Sequence, residues 1–536
     1  MPLTVVCDVT VPRGTAELLE KALKDRFASR GCESADFTMR FSLDGSVGDG
    51  YTLLPDTGSV HITGGNPSCL FSAAGEFLCR SSFDGYGGFQ PYRKAVKHSF
   101  AEKLRGMYYA THFRNFWHSA PPEEVYETVC DLAFRGCNAL LVWFDMHHFS
   151  GIGEPDAKEM ITRLREILAC AESFGMAPSL LMLANEGFSG TPDSLRAENT
   201  AENGYHTPPA GFYGTEICPS VPGGKAAILR ERREVLEAFS GIALKYICLW
   251  PYDQGGCTCK SCAPWGINGY MKLIPETAEL AGQFFPQAEI IVSTWFFDRF
   301  TAGEWAGMSR IMKKGLPSGA EYVMAYFFDG LPEAISKNGI PENVKFISFP
   351  EISMQGAVPW GGFGANPLPE FLRKNSLPEI FRGGFPYSEG IFDDINKWIC
   401  LRQFSCREEN TADSVRAYLK HEFCCDSEAL ADAVLLMEKT LPRSVYRQDG
   451  VLRCDISCPP PVEKIYSEII KCDAALPERI RSGWKWRIIY CRAVIDREIV
   501  RTSGAPADSE EYRDRVSELI RLYHAENAEE CVKPPL

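Results

Sequence analysis

What this chain lacks narrows the field first. It has no basic block: 56 Lys+Arg stand against 70 Asp+Glu, a net charge of −14 over 536 residues. That balance argues against nucleic acid or an anionic membrane as partner. No apolar run approaches the roughly 20 residues needed to span a bilayer. Met1-Pro-Leu-Thr-Val-Val-Cys-Asp has neither a basic start nor an apolar stretch ending in a small-residue cleavage site, so it does not read as an export signal. The expectation is a cytoplasmic protein without membrane contact. There is no internal repeat and no low-complexity tract. No glycine-rich nucleotide fingerprint is present, so no organic cofactor is implied.

What is present is a soluble globular composition, 45% hydrophobic and 24% charged. The length exceeds one ordinary core and predicts about two to four domains. Twenty-one cysteines in a chain without an export signal point to reduced thiols or metal ligands, not a disulfide framework.

The periodicity divides the chain into three. Residues 1–100 predict a small α/β domain: a strand at Leu3–Val11, a helix at Thr15–Ser29, a strand at Asp36–Leu43, a hairpin around Pro55-Asp-Thr-Gly58, and a helix near Cys69–Cys79. Residues 101–405 alternate short apolar strands with amphipathic helices. The predicted strands are Gly106–His112, Ala139–Asp145, Pro178–Ala184, Tyr246–Asp253, Glu289–Asp298, Glu321–Asp329, Lys345–Glu351 and Gly383–Glu389. Eight such units predict a (β/α)8 TIM barrel; a doubly wound open sheet is the alternative. Residues 406–536 carry helix-period apolar residues and predict an α-helical C-terminal domain, with Trp484, Trp486 and Tyr490 on one helix read as core.

A barrel works at the C-terminal ends of its strands. Strand one ends in His112, with Arg114 beyond it. Strand two ends in Trp143, Asp145, His147 and His148, and strand three leads to Asn185 and Glu186. Strand four brings Trp250, Tyr252, Asp253 and Gln254. Strand five brings Trp295 and Asp298, and strand six Tyr326 and Asp329. Strand seven ends in Glu351, with Trp360 in its loop, and strand eight ends in Tyr387 and Glu389. Acids alternating with Trp and Tyr suit a sugar: aromatic faces stack on pyranose C–H groups and carboxylates bind hydroxyls. Two carboxylates about 5 Å or about 6.5–9.5 Å apart would serve as acid and as nucleophile or base. Asp253, Glu351 and Glu389 are the catalytic candidates, because acids closing apolar strands need a reason. Asp298 and Asp329 read as helix caps or loop anchors. Adjacent His147 and His148 on an extended strand would point opposite ways, which argues against a metal pair.

Cys257, Cys259 and Cys262 follow strand four at C-x-C-x-x-C spacing, and Cys218 in the preceding long loop is the candidate fourth ligand. The expectation is one structural Zn2+; free thiols and an iron–sulfur cluster are the alternatives. Cys137, Cys170 and Cys248 read as small core residues.

Tyr51-x-Leu…Val60-His-Ile-Thr…Leu70-Phe…Phe77-Leu and Asp253 with Cys257-Thr-Cys-Lys-Ser-Cys262 resemble segments of glycoside hydrolases that place a small α/β domain before a (β/α)8 barrel. These are the family 20 β-N-acetylhexosaminidases, the family 67 α-glucuronidases and family 163-like enzymes. The resemblance implies a glycosidase acting on small glycosides or oligosaccharides. Family 20 enzymes carry an Asp-Glu pair after strand four, the Glu being the acid. Here the pair is Asp253-Gln254, and Gln is no acid. Either Asp253 takes that role or Glu351 or Glu389 does, and retention or inversion stays open. Two rival readings remain: metal-assisted or eliminative chemistry on a sugar acid through His112, Asp145, His147 and Glu186, and a catalytically inactive sugar-binding protein. Oligomerisation is left open.

Overall fold

A computed structural model of the chain describes residues 3–528 apart from 34–35, 113, 210–212, 254, 328–329, 354–363, 408, 441–444, 449–450, 455–460 and 507–508. The first elements form a five-stranded sheet in the order Thr4–Cys7, Thr38–Leu43, Ser59–Gly64, Gly50–Asp56, Val96–Ser99. The expected hairpin is there: Gly50–Asp56 runs antiparallel to Ser59–Gly64, with Asp56 opposite Ser59. Alternate strand residues Met39, Phe41, Leu53, Val60 and Ile62 are buried. They meet Leu19, Leu23 and Phe27 of helix Arg13–Ser29 and Leu70, Phe71 and Phe77 of helix Pro67–Arg80, so the two periods share one core.

The eight barrel strands are Leu104–Tyr109, Ala139–Trp143, Ala177–Leu183, Tyr246–Trp250, Glu289–Ser293, Ala320–Ala325, Lys345–Ser348 and a split eighth, Gly383–Gly384 with Tyr387–Ser388. Each pairs in parallel with the next, and both pieces of the eighth pair with the first, closing the ring. The TIM barrel is therefore the architecture, and the open sheet is excluded. Strands one and two are buried along their whole length, as expected of parallel strands covered on both faces. Closure needs Gly383: its φ is +90°, and a Cβ there would stand 1.7 Å from the Leu104 carbonyl oxygen. Pro386 interrupts the eighth strand, because it has no N–H to donate to the ladder.

Helices Thr411–Phe423, Glu428–Met437, Val462–Ala475, Trp484–Arg501 and Glu510–Leu522 follow the barrel. Trp486 is fully buried among them, whereas Trp484 and Tyr490 are half-buried. The expectation of helices alone is corrected by an antiparallel hairpin, Val445–Gln448 with Val451–Cys454. Its two short period-two runs flank Asp449-Gly450 in the sequence, a hairpin-favouring pair between long helical segments. Among the described residues no helix is long and apolar enough to cross a membrane.

Candidate active site

Parallel strands bring their carboxyl ends to one rim. Strand four ends at Trp250, and the chain turns over Pro251 and Tyr252 to Asp253, whose φ is +78°. A non-glycine residue in that region stores strain of order 1–3 kcal/mol, and such residues cluster at functional sites. Burial pushes the Asp253 carboxyl from 3.8 up to about 6, with His112 and His147 pulling in the opposite direction.

Strands one and eight build the next part. The Tyr387 hydroxyl donates to Glu389 Oε1 at 2.5 Å. His112 Nε2 lies 3.1 Å from that hydroxyl and 3.3 Å from Glu389 Oε1. Glu389 is 2% exposed, its backbone N–H donates to Ser353 Oγ at 2.9 Å, and its carbonyl accepts from the Tyr523 hydroxyl. Glu351 bridges to Tyr387 at the end of strand seven and is half-buried. Its charge adds to the burial that drives Tyr326 and Tyr387 upward.

Strands two and three supply a second buried pair. Glu186 Oε1 accepts from His147 Nδ1 at 2.7 Å and from the His147 backbone N–H at 3.1 Å. A carboxylate partner there places a His147 ring proton at Nδ1. The ring stacks on Tyr213 at 4.5 Å. Behind the pair, Arg232 donates to the Glu186 carbonyl at 2.5 Å. Burial, reinforced by Glu186, lifts the Glu216 carboxyl to about 7.

The walls are aromatic. Trp250 and Trp295 lie 5.4 Å apart, with Phe349 at 4.7 Å and 5.3 Å from them. Trp143 is 5.7 Å from His112 and 6.0 Å from His147. Tyr108, on strand one, is driven well upward by burial, with Asp145, Asp253 and Glu389 all adding.

Other expected residues lie elsewhere. The Tyr252 ring is fully buried, and its hydroxyl donates to Glu304 Oε1 at 2.6 Å and meets the Tyr205 hydroxyl at 3.1 Å. It holds the loop and does not face the pocket. Arg114 is exposed on the rim, its charge acting on His148. Asp298 accepts from the N–H groups of Glu304 (2.6 Å) and Trp305 (3.3 Å), which is the cap role. Asp145 pairs with His148 at 3.4 Å. His147 and His148 lie on a one-turn helix, Met146–His148, so their rings meet at 4.2 Å instead of pointing apart. His112 thus lies beside Glu389, Asp145 beside His148 and His147 beside Glu186, with the His147 and His148 rings in contact. Gln254, Asp329 and Trp360 lie outside the described residues. Tyr108, Tyr213, Phe349 and Glu216 escape a sequence reading: two sit on or beside apolar strands and read as core, and two lie in an aperiodic loop.

The sulfurs of Cys218, Cys257, Cys259 and Cys262 all lie within 4.8 Å of one another. A separate cavity of about 870 Å³ opens away from the rim, between helix Arg13–Ser29 and the segment Arg479–Trp486. Its half-buried Lys485 is already paired with Asp131 at 2.6 Å and Glu422 at 2.8 Å.

Solved structures share this architecture. A family 89 glycoside hydrolase from Clostridium perfringens, in complex with 2-acetamido-1,2-dideoxynojirmycin, superposes with a TM-score of 0.58 at 13% identity, over 95% of this chain and 64% of that one. A GH138 enzyme targeting pectin rhamnogalacturonan II matches with a TM-score of 0.57 at 10% identity, over 97% and 74%. The GH20 β-N-acetylhexosaminidase from Streptomyces coelicolor A3(2) matches with a TM-score of 0.53 at 13% identity, over 83% and 93%. The fold is therefore one that glycoside hydrolases use, and the chain spans less than two thirds of the family 89 enzyme's length. No protein-family model and no curated protein matches the sequence.

Proposed function

We propose that the protein is a glycoside hydrolase that removes a terminal sugar from a small glycoside or oligosaccharide, with hexosaminidase-like or glucuronidase-like specificity. The observation that carries this reading is Asp253: a carboxyl raised to about 6 by burial, on strained backbone, at the mouth of a Trp-lined barrel. A carboxyl raised to about 6 holds its proton well above the ordinary carboxylate range, which suits it to protonate a departing glycosidic oxygen. Glu351, half-buried at the end of strand seven, is the candidate nucleophile or base. Glu389 has an oxygen committed to Tyr387 and His112, which suits it to hold and orient a sugar hydroxyl. Trp143, Trp250 and Trp295 offer stacking faces.

The test is a panel of nitrophenyl glycosides assayed with the wild type and with Asp253→Asn, Glu351→Gln and Glu389→Gln. Hydrolysis of one glycoside, with losses of about 100- to 10,000-fold in the first two variants, is the expected result. If all three retain full activity, the residue assignment fails. If nothing is cleaved while a sugar still raises the melting temperature, the protein is a sugar-binding protein and the enzyme reading fails.

A further inference from the structure

The cysteine cluster stands apart from the carboxylates. Three of its four residues are buried, with Cys257 and Cys262 fully so, and Cys259 is half-buried. Cys218 lies 41 positions before Cys259 in sequence, on the connection that follows strand three, whereas the other three follow strand four. The fold has thus brought a distant thiol into the middle of a C-x-C-x-x-C knuckle.

The distances identify what such a set fits. Cys218 Sγ is 3.8 Å from Cys259 Sγ and 4.0 Å from Cys262 Sγ. A disulfide needs about 2.05 Å, so neither pair is bonded. A tetrahedron with zinc–sulfur bonds of about 2.3 Å has edges of about 3.8 Å, close to these two separations. The surroundings suit thiolates: Ser220 Oγ lies 3.1 Å from Cys262 Sγ, and the backbone N–H groups of Ser220 and Cys259 are directed at the sulfurs of Cys218 and Cys257. Donors of this kind orient ligand sulfurs and offset their charge.

The knuckle is joined to the rim through Asn185. Its Nδ2 donates to the carbonyls of Ile217 (3.0 Å) and Gly256 (2.7 Å), and its Oδ1 accepts from the Gly256 N–H at 2.9 Å. Ile217 precedes Cys218, and Gly256 precedes Cys257 and follows Asp253 by three residues. Asn185 itself is next to Glu186, the partner of His147.

We infer that Cys218, Cys257, Cys259 and Cys262 hold one structural Zn2+ as a tetrathiolate, and that this ion fastens the loop after strand three to the loop after strand four, positioning Asp253 and the His147–Glu186 pair. Binding removes the proton from each of the four thiols, leaves a site of charge −2, and closes the long connection 184–223 onto the barrel. With four protein ligands the coordination is closed, so the ion holds structure and takes no substrate. The site is a property of the cysteines and does not depend on the glycosidase reading.

The experiment uses the full chain purified under reducing conditions. Inductively coupled plasma analysis is expected to find about one Zn2+ per chain, and replacement by Co2+ is expected to give a sulfur-to-cobalt charge-transfer band in the near ultraviolet. Cys218→Ser and Cys259→Ser are expected to lose the ion, while Cys406→Ser, at an exposed position, keeps it. Amide exchange in 185–198 and 253–262 is expected to rise about tenfold on zinc removal, with the N-terminal sheet unchanged. Zinc well below one per chain together with no cobalt–thiolate band overturns the inference, and so does iron with acid-labile sulfide. These two measurements on the wild type need no variant to fold. Exchange that is unchanged on zinc removal overturns the positioning role. Failure to cleave any glycoside would leave all these readouts intact, so the two proposals fail separately.

Discussion

The Tyr387 hydroxyl donates to Glu389 Oε1 across 2.5 Å, and His112 Nε2 stands 3.1 Å from that hydroxyl and 3.3 Å from that oxygen. A carboxylate held this way presents its second oxygen in a set direction. Tyr387→Phe removes the donor and keeps the ring. It is expected to cost about 1–2 kcal/mol in urea denaturation, in keeping with a lost hydrogen bond to a charged group, and to raise KM more than it lowers kcat.

Asp253 ties activity and stability to pH. Its folded value of about 6 lies above its ordinary 3.8, so the folded state holds this proton more tightly than the unfolded state. Its contribution to stability is therefore most favourable below about pH 4, declines as pH rises through about 6, and is level above that. The difference in stability between wild type and Asp253→Asn, measured by urea titrations between pH 4 and 7, should follow this decline. As general acid, Asp253 should also impose a basic limb near pH 6 on kcat/KM for the cleaved glycoside, absent from the residual activity of Asp253→Asn.

Glu186 receives two hydrogen bonds from His147 and lies over Arg232. Glu186→Ala is expected to destabilise the fold by about 1–3 kcal/mol, since it leaves the His147 backbone N–H and ring N–H without their buried acceptor. Glu186→Gln preserves an acceptor for His147 and should retain more stability than the alanine variant while still lowering kcat/KM. Paired urea melts and kinetics on the two variants check both statements.

Asp298 caps helix Glu304–Lys314 through the N–H groups of Glu304 and Trp305. Asp298→Ala is expected to cost about 1 kcal/mol and to leave kcat/KM within about twofold, whereas a catalytic acid would lose far more. Denaturation and glycoside kinetics on the same preparation separate the two roles.

Much of the barrel was legible because each parallel strand is a short apolar run ended by a polar break, and each following helix has its own period. Strand ends were overextended where aromatic residues continued past the last ladder bond: strand six stops at Ala325 and strand four at Trp250. The C-terminal hairpin was hidden by helical periodicity on both sides of it. At the rim, position along a strand indicates nearness to the mouth but not direction. Tyr252 and Asp253 are neighbours, yet the Tyr252 hydroxyl turns into a buried network with Glu304, whereas the Asp253 carboxyl feels the charges of His112 and His147.

By itself, then, the sequence determined the alternating pattern that closes into eight parallel strands, the presence of acids and aromatics at their ends, and the spacing of three thiols after strand four. These follow from local period and residue type, which neighbours in the chain set. The tertiary structure alone decided which of those residues share a space. The approach of Cys218 to the other three cysteines, the pairing of His147 with Glu186, the clasp of Tyr387 and His112 on Glu389, and the burial that lifts Asp253 all depend on segments far apart in sequence. Their proximity comes from barrel closure and from the loops packed over its mouth.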